Sequence, residues 1–458
     1  MLIEVAAKEY LVEIEVRKFT KKKFLAFYGL AEKKHTKRRI YMAKTILQSV
    51  LFQGKTQDIL ISGKKFAKVG KVLTARDYDK ADVVDCKGLA IVPPFYNGHT
   101  HAAMTLLRGY ADDMPLQKWL MEYIWPFEAK LTSKDIEIGT RLAVLEMIKS
   151  GTVFFADMYW HREHSMKVVE EMGIRAAIGV TIAENLSTSG RIEENMKFIR
   201  NHCHESDRVK ISVMPHSIYL VGEKLFKRCA KVAHEEGMVL HTHLAETLKE
   251  VRDCKKQHGC TPVELLDRYG VLDDNLVAAH CVHLTPNDIA LMADAGSAAI
   301  LNPCSNLKLG SGIPKIVQMM DGGMLLGIGT DGASSNNNLD MHEDMKLVSL
   351  LAKANGLADA FPAGEVLNMA TAHVAMAYNI PAGVIGEGLL ADALLLDLKN
   401  ERLNPQHNLV SNWVYAADSN AIHSVICNGK FVMKNRHVDG EEDIVKEANE
   451  CAMRLAGK

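Results

Sequence analysis

Between residues 90 and 330 the chain alternates short apolar runs with longer stretches of helical periodicity. The runs at 90–95, 152–157, 175–182, 209–214, 238–242, 275–279, 297–301 and 325–329 are rich in Val, Ile, Leu and Ala and have the length of buried strands. Helical patterns lie between most of them, as at 134–150 and 223–236, with another at 340–355. Eight such units predict an α/β fold, a (β/α)8 barrel of the TIM type, which carries its active site at the C-terminal ends of the strands. A doubly wound sheet is the competing architecture, but no glycine-rich phosphate loop follows the first strand.

The flanks carry a different rhythm. AKTILQSVLFQGKTQDILISGKKFAKVG, from Ala43 to Gly70, alternates like short antiparallel strands. Near the other end, GLLADALLLDL (388–398) reads as a strand, and SVICNGKFVMKN (424–435) as a hairpin turning at Asn428-Gly429. Neither flank has enough strands for a stable sheet alone, so the two are expected to pair with each other. The expected organisation is a composite β-sandwich from 42–95 and 386–440, a catalytic barrel over 96–385, and a C-terminal helix over 441–458. Residues 1–41 hold KKK and KRR runs without clean periodicity and read as a disordered basic extension, or as sequence upstream of a start at Met42. Glu4, Glu9, Glu13 and Glu15 argue against a transit segment.

A chain of 458 residues with 48% hydrophobic content can bury a large core. Its net charge of −1 removes any electrostatic reason to expect nucleic acid or an anionic membrane as partner. The nine cysteines are scattered, and none forms a CxxC, which points to a reduced, cytoplasmic protein rather than a disulfide framework. No apolar run is long enough to cross a bilayer.

The chemistry sits where the apolar runs end. His99 and His101 follow LAIVPPFYNG, His243 follows MVLHT, His280 follows NLVAA, and Asp331 follows LLGIGT. Imidazoles and a carboxylate delivered to one rim suit a borderline divalent ion such as zinc, with one position left for water. His99 and His101, two apart, share a strand face. His243 supplies a third nitrogen, while His241 reads as a core histidine one pleat deeper. His280 is placed either to bind the ion or to hydrogen-bond the water upon it; His283 reads as structural. Asp331 can both ligate and accept the proton of an attacking water. Glu246, three past His243, falls beside the substrate, where a buried carboxyl stays protonated and serves as a general acid.

The motifs PFYNGHTH, HTHLAET, AAHCVHL, NPCSNLKLG and GTDGASSNN resemble those of the amidohydrolase superfamily, and within it the methylthioadenosine/S-adenosylhomocysteine deaminase family. The resemblance runs from about residue 45 to 435. It implies that His99, His101, His243 and Asp331 hold a single divalent ion, usually zinc, with Fe2+ as the alternative. It implies that Glu246 shuttles protons, that His280 orients the attacking water, and that His216 in MPHSIYL contacts the substrate. Glu128 in WPFEAKL would hold ribose hydroxyls, and Arg191 in SGRIEEN would lie near the substrate tail.

The implied activity is deamination of an adenosine-type nucleoside: methylthioadenosine, 5′-deoxyadenosine, adenosine or S-adenosylhomocysteine. The rival on the same metal site is a deaminase or chlorohydrolase of a free base, pterin or triazine-like ring. One departure matters. The stretch AAIGVTIAEN has Val180 near the place where homocysteine-accepting members carry a further arginine, which weakens the case for a carboxylate-bearing tail. The absence of a lysine just before Pro215-His216 favours one metal over two. The expected partner is a small-molecule nucleoside, with no nucleic acid or membrane, and relatives are often homo-oligomers.

Overall fold

The structure is a computed structural model that describes residues 43–457 apart from 116–117, 185–190, 203–205, 355–357 and 360. The extension over 1–41 lies outside the described residues.

Five strands open the described chain: β1 (Lys44–Phe52), β2 (Lys55–Ser62), β3 (Lys65–Lys68), β4 (Ala81–Asp85) and β5 (Leu89–Val92). Eight follow with helices between most of them: β6 (Phe95–Thr100), β7 (Thr152–Asp157), β8 (Arg175–Ile182), β9 (Val209–Pro215), β10 (Leu240–Leu244), β11 (Leu276–His280), β12 (Ala298–Leu301) and β13 (Leu325–Ile328). Three more end the strand count: β14 (Ala393–Asp397), β15 (Ile422–Cys427) and β16 (Lys430–Met433).

β6 to β13 pair in sequence order as a parallel eight-stranded sheet, the (β/α)8 architecture. Its strands are buried almost throughout, because helices cover the outside and side chains fill the middle. The helices Ser133–Lys149, Glu223–Glu235 and Met341–Ala354 fall where the periodicity places them. Thr132 and Asp135 form a capping box that starts the first of these.

The remaining strands make one sheet shared by both flanks, in the order β16-β15-β14-β5-β1-β2-β3, with β4 beside β1. The join is the antiparallel pair β5–β14. Leu47, Phe66, Ile91, Leu395 and Ile426 contribute to a core of its own. Asn428 and Gly429 both have positive φ, as a tight two-residue hairpin turn requires. A Cβ on Gly429 would meet the Gly63 carbonyl oxygen at 2.1 Å, so this turn demands glycine for space as well as conformation.

One strand assignment needs correction. The run 90–95, expected as the first barrel strand, is divided between two sheets. Leu89–Val92 belongs to the terminal sheet, and the barrel begins at Phe95. Pro93 and Pro94 stand at the division, and neither can donate to a ladder, so pairing stops and the chain changes sheet there. The strand expected over 388–398 is also shorter: the continuous strand is Ala393–Asp397, and Leu390 before it makes only an isolated bridge to Lys65. No helix among the described residues is long and apolar enough to cross a membrane.

Candidate metal centre and active site

The barrel delivers its polar residues to one rim. His99 lies in β6 and His101 just past it; His243 lies in β10, and His280 is the last residue of β11. His216 follows β9, Glu246 follows β10 by two residues, and Asp331 follows β13 by three. Ala245, His280 and Asp331 adopt positive φ (51°, 73° and 63°), a conformation that non-glycine residues avoid unless their surroundings impose it.

The imidazoles are oriented from behind. His101 Nδ1–H donates to the Met158 carbonyl at 2.7 Å, and His243 Nδ1–H to the His216 carbonyl at 2.8 Å. Both Nε2 atoms are thereby left as bare acceptors when the rings are neutral, and they face each other at 3.4 Å. Asp331 Oδ1 stands 3.2 Å from His101 Nε2 and 3.4 Å from His99 Nε2. Its other oxygen accepts from Ser305 Oγ at 2.6 Å and Ser335 Oγ at 3.2 Å. The buried His99 Nε2 has no hydrogen-bond partner. Lone pairs converging in this way repel one another unless a cation lies among them, and three imidazole nitrogens with one carboxylate oxygen form a zinc-type donor set. The donor atoms of His99, His101 and Asp331 lie within 4.8 Å of one another, and so do those of His99, His243 and His280. The residues present therefore fit a divalent ion.

Burial pushes His99 down to about 4 and His216 to about 3, and lowers His243 well below the ordinary histidine value, so these rings are neutral. His101 goes the other way: burial opposes its charge, but the Asp331 carboxylate outweighs burial and raises it to about 9. A proton and a metal ion compete for that nitrogen.

Glu246 is 6% exposed, and burial raises its pKa above the ordinary carboxyl value. Ser311 Oγ donates to its Oε1 at 3.3 Å. The backbone N–H groups of Ala245 and Glu246 both donate to the Glu250 carboxylate at 2.9 Å, bracing the turn that carries Glu246. His280 Nδ1–H donates to Asn306 Oδ1 at 2.9 Å, which directs Nε2 away from that bond. Glu128 is buried, and burial lifts its pKa to about 7; the Tyr159 hydroxyl lies beside it but outside good hydrogen-bond geometry.

A cavity of about 70 Å³ opens over this cluster, and His101, His216, His243, His280, Asp331, Glu246 and Glu128 all line it. An adjoining cavity of about 230 Å³ shares Leu120, Trp125, Tyr219 and Glu246 with the first. Trp119 and Trp125 are walls of the inner cavity. Arg191 is not drawn in. Its side chain is 86% exposed and pairs with Glu194 at 3.7 Å, and it lines neither of these two cavities. Its position just before a surface helix (Ile192–His202) turns it outward.

Sequence reasoning missed the supports behind the ligands. His241, read as a core histidine, is indeed fully buried, but it also contacts His99. Ser305 and Asn306 stand in the NPCSN motif, whose polar side chains after an apolar strand were the available signal. Glu250 and Tyr378 carried none, because each acts through a contact that only folding creates.

Comparison with known proteins bears on all of this. The model of the amidohydrolase family matches residues 90–432. A 5-methylthioadenosine/S-adenosylhomocysteine deaminase of Desulforamulus reducens is 41% identical over 88% of this chain and 95% of its own. A 5′-deoxyadenosine deaminase of Methanothermobacter thermautotrophicus is 39% identical over 85% of this chain and 91% of its own. Among solved structures, an adenosine deaminase from Xanthomonas campestris with bound zinc has a TM-score of 0.84 at 30% identity, covering 91% of this chain and 99% of that one.

Proposed function

The chain belongs to the amidohydrolase family, and from that premise we propose that it deaminates an adenosine-type nucleoside to the inosine derivative and ammonia. The substrates in this reading are methylthioadenosine, 5′-deoxyadenosine, adenosine or S-adenosylhomocysteine. The family and its deaminase relatives make it a metal-dependent hydrolase of C–N bonds. One observation carries the nucleoside reading: the buried Glu246, whose pKa burial raises, shares a cavity both with the cluster of candidate ligands and with the buried carboxyl of Glu128, to which we assign the ribose.

His99, His101, His243 and Asp331 would hold the ion. We take it as a single zinc, with Fe2+ as the alternative, since Met214 rather than a lysine precedes Pro215. When bound, the ion supplies Lewis acidity that brings the pKa of water towards 7. Asp331 accepts the proton of the attacking water. His280, anchored through Asn306, orients that water towards C6 of the purine. Glu246 donates its proton to the adjacent ring nitrogen, which makes C6 more electrophilic; the proton held by Asp331 then goes to the departing amino group, and the remaining hydroxyl proton returns to Glu246 as the carbonyl forms and ammonia leaves. Each such transfer contributes about 10²–10⁴-fold in rate. Glu128 accepts from the ribose hydroxyls, and His216 contacts the base.

No lysine or arginine is among the described residues lining the inner cavity, which favours uncharged 5′ groups over a carboxylate tail. The catalytic unit in this reading is 96–385, with 42–95 and 386–440 as the accessory sheet and 441–458 as a closing helix. In this reading the enzyme acts in the cytoplasm on a small molecule.

The test is ammonia release by the zinc-loaded protein on purine nucleosides that differ only at the 5′ position, alongside free adenine and cytosine. Nucleosides are expected to be the better substrates. Equal rates on free bases would transfer the reading to the free-base alternative.

A further inference from the structure

His241 is fully buried in β10, two residues before His243. Its two ring nitrogens have two neighbours: Nδ1 lies 2.6 Å from the Tyr378 hydroxyl, and Nε2 lies 3.0 Å from His99 Nδ1. Tyr378, at the end of the helix Ala372–Ala377, is itself buried, and its hydroxyl donates to the Gly98 carbonyl at 2.8 Å.

These contacts have only one consistent direction. A carbonyl oxygen cannot donate, so the single hydroxyl hydrogen of Tyr378 is committed to Gly98. The phenol oxygen must then accept, and His241 Nδ1 carries the hydrogen that it accepts. No carboxylate among the described residues pairs with His241, so a doubly protonated ring there would be a buried charge without a counter-ion. Its Nε2 is therefore bare and accepts from His99 Nδ1–H. His99 is left with a lone pair on Nε2, the buried atom without a protein partner that faces His101 and Asp331. With the opposite polarity, His99 Nε2 would carry a hydrogen and could not bind a cation.

We propose that Tyr378 and His241 form a one-way hydrogen-bond relay that locks His99 in its metal-binding tautomer, which makes both of them positioning residues for the metal site. The relay rests on the metal-site reading above. His101 and His243 are set by carbonyls from neighbouring strands. His99 is instead set through a second imidazole, whose tautomer would be free without the phenol. Partners of this kind are worth about 10–100-fold in metal affinity.

The experiment uses the full-length protein and Tyr378→Phe, which removes the hydroxyl and keeps the ring. Zinc affinity is measured by competition with a chelating indicator, and the metal-free proteins are melted in parallel. A 10- to 100-fold loss of affinity is expected, with melting of the metal-free variant close to wild type. A dissociation constant within about twofold of wild type overturns the relay. Should the variant not fold, nitrogen-15 spectra of histidine-labelled wild type decide the matter. A hydrogen on His241 Nδ1 supports the relay, and one on Nε2 overturns it. Wild-type protein that binds no zinc, or that binds it unchanged after His99→Ala, overturns the metal-site reading itself and the relay with it.

Discussion

The backbone N–H of Asp331 donates to the carbonyl of His99 at 2.9 Å. The chain leaving β13 is thus fastened to β6 where the first and last strands of the barrel meet, and each of the two residues offers a ligand atom beside that bond. Asn97 reinforces the joint: its side chain donates to Thr330 Oγ1 at 2.7 Å and accepts from Thr330 N at 3.0 Å. The contact between the first and last barrel strands thus also brings two candidate ligands together.

Glu246→Gln keeps the shape of the side chain and removes its proton exchange. Turnover is expected to fall by at least 10²–10⁴-fold with bound metal unchanged. Ammonia assay and elemental analysis of the same sample check this; near wild-type turnover contradicts the shuttle.

His243→Ala and Asp331→Ala each delete a donor from the cluster. Both purified variants are expected to lose most of their metal. Chelation of the wild type should likewise abolish activity and lower the melting temperature, since an ion that binds the folded state stabilises it, and added zinc should restore both. Activity that survives complete chelation would refute metal dependence.

Burial lifts Glu128 to about 7, well above an unfolded glutamate. Its contribution to stability is therefore present below the unfolded value and is lost as pH rises through about 7. Its ionised form, needed to accept from a ribose, appears over the same window. KM for nucleosides is expected to fall as pH is raised through 7, and Glu128→Gln should raise KM and flatten that limb. An unchanged profile in the variant would sink the assignment.

Glu250→Ala leaves the N–H groups of Ala245 and Glu246 unpaired in a buried turn. Each orphaned donor costs about 1–3 kcal/mol, so denaturant unfolding should show a loss of that order per donor, and kcat should drop as Glu246 loses its brace. Unaltered stability would show that water or a rearranged backbone replaces the carboxylate.

Much of this protein was legible before folding was considered. Parallel strands buried on both faces must be apolar, so the barrel announced itself as spaced runs of Val, Ile and Leu. The candidate ligands at the strand ends, His99, His101, His243 and Asp331, stood out as polar residues closing those runs, and folding brings them to one rim. Asn428-Gly429 declared its turn because few residues tolerate its backbone.

What the sequence could not disclose depends on contacts between distant residues. The passage from the terminal sheet to the barrel was blurred because LAIVPPF is apolar on both sides of its prolines. That Arg191 stands exposed beside Glu194, away from the cavity lining, was likewise not legible in the chain. Tyr378 and His241 are a tyrosine and a histidine 137 residues apart in the chain. The direction of a hydrogen bond depends on which groups meet and which can donate, and only tertiary packing brings them together.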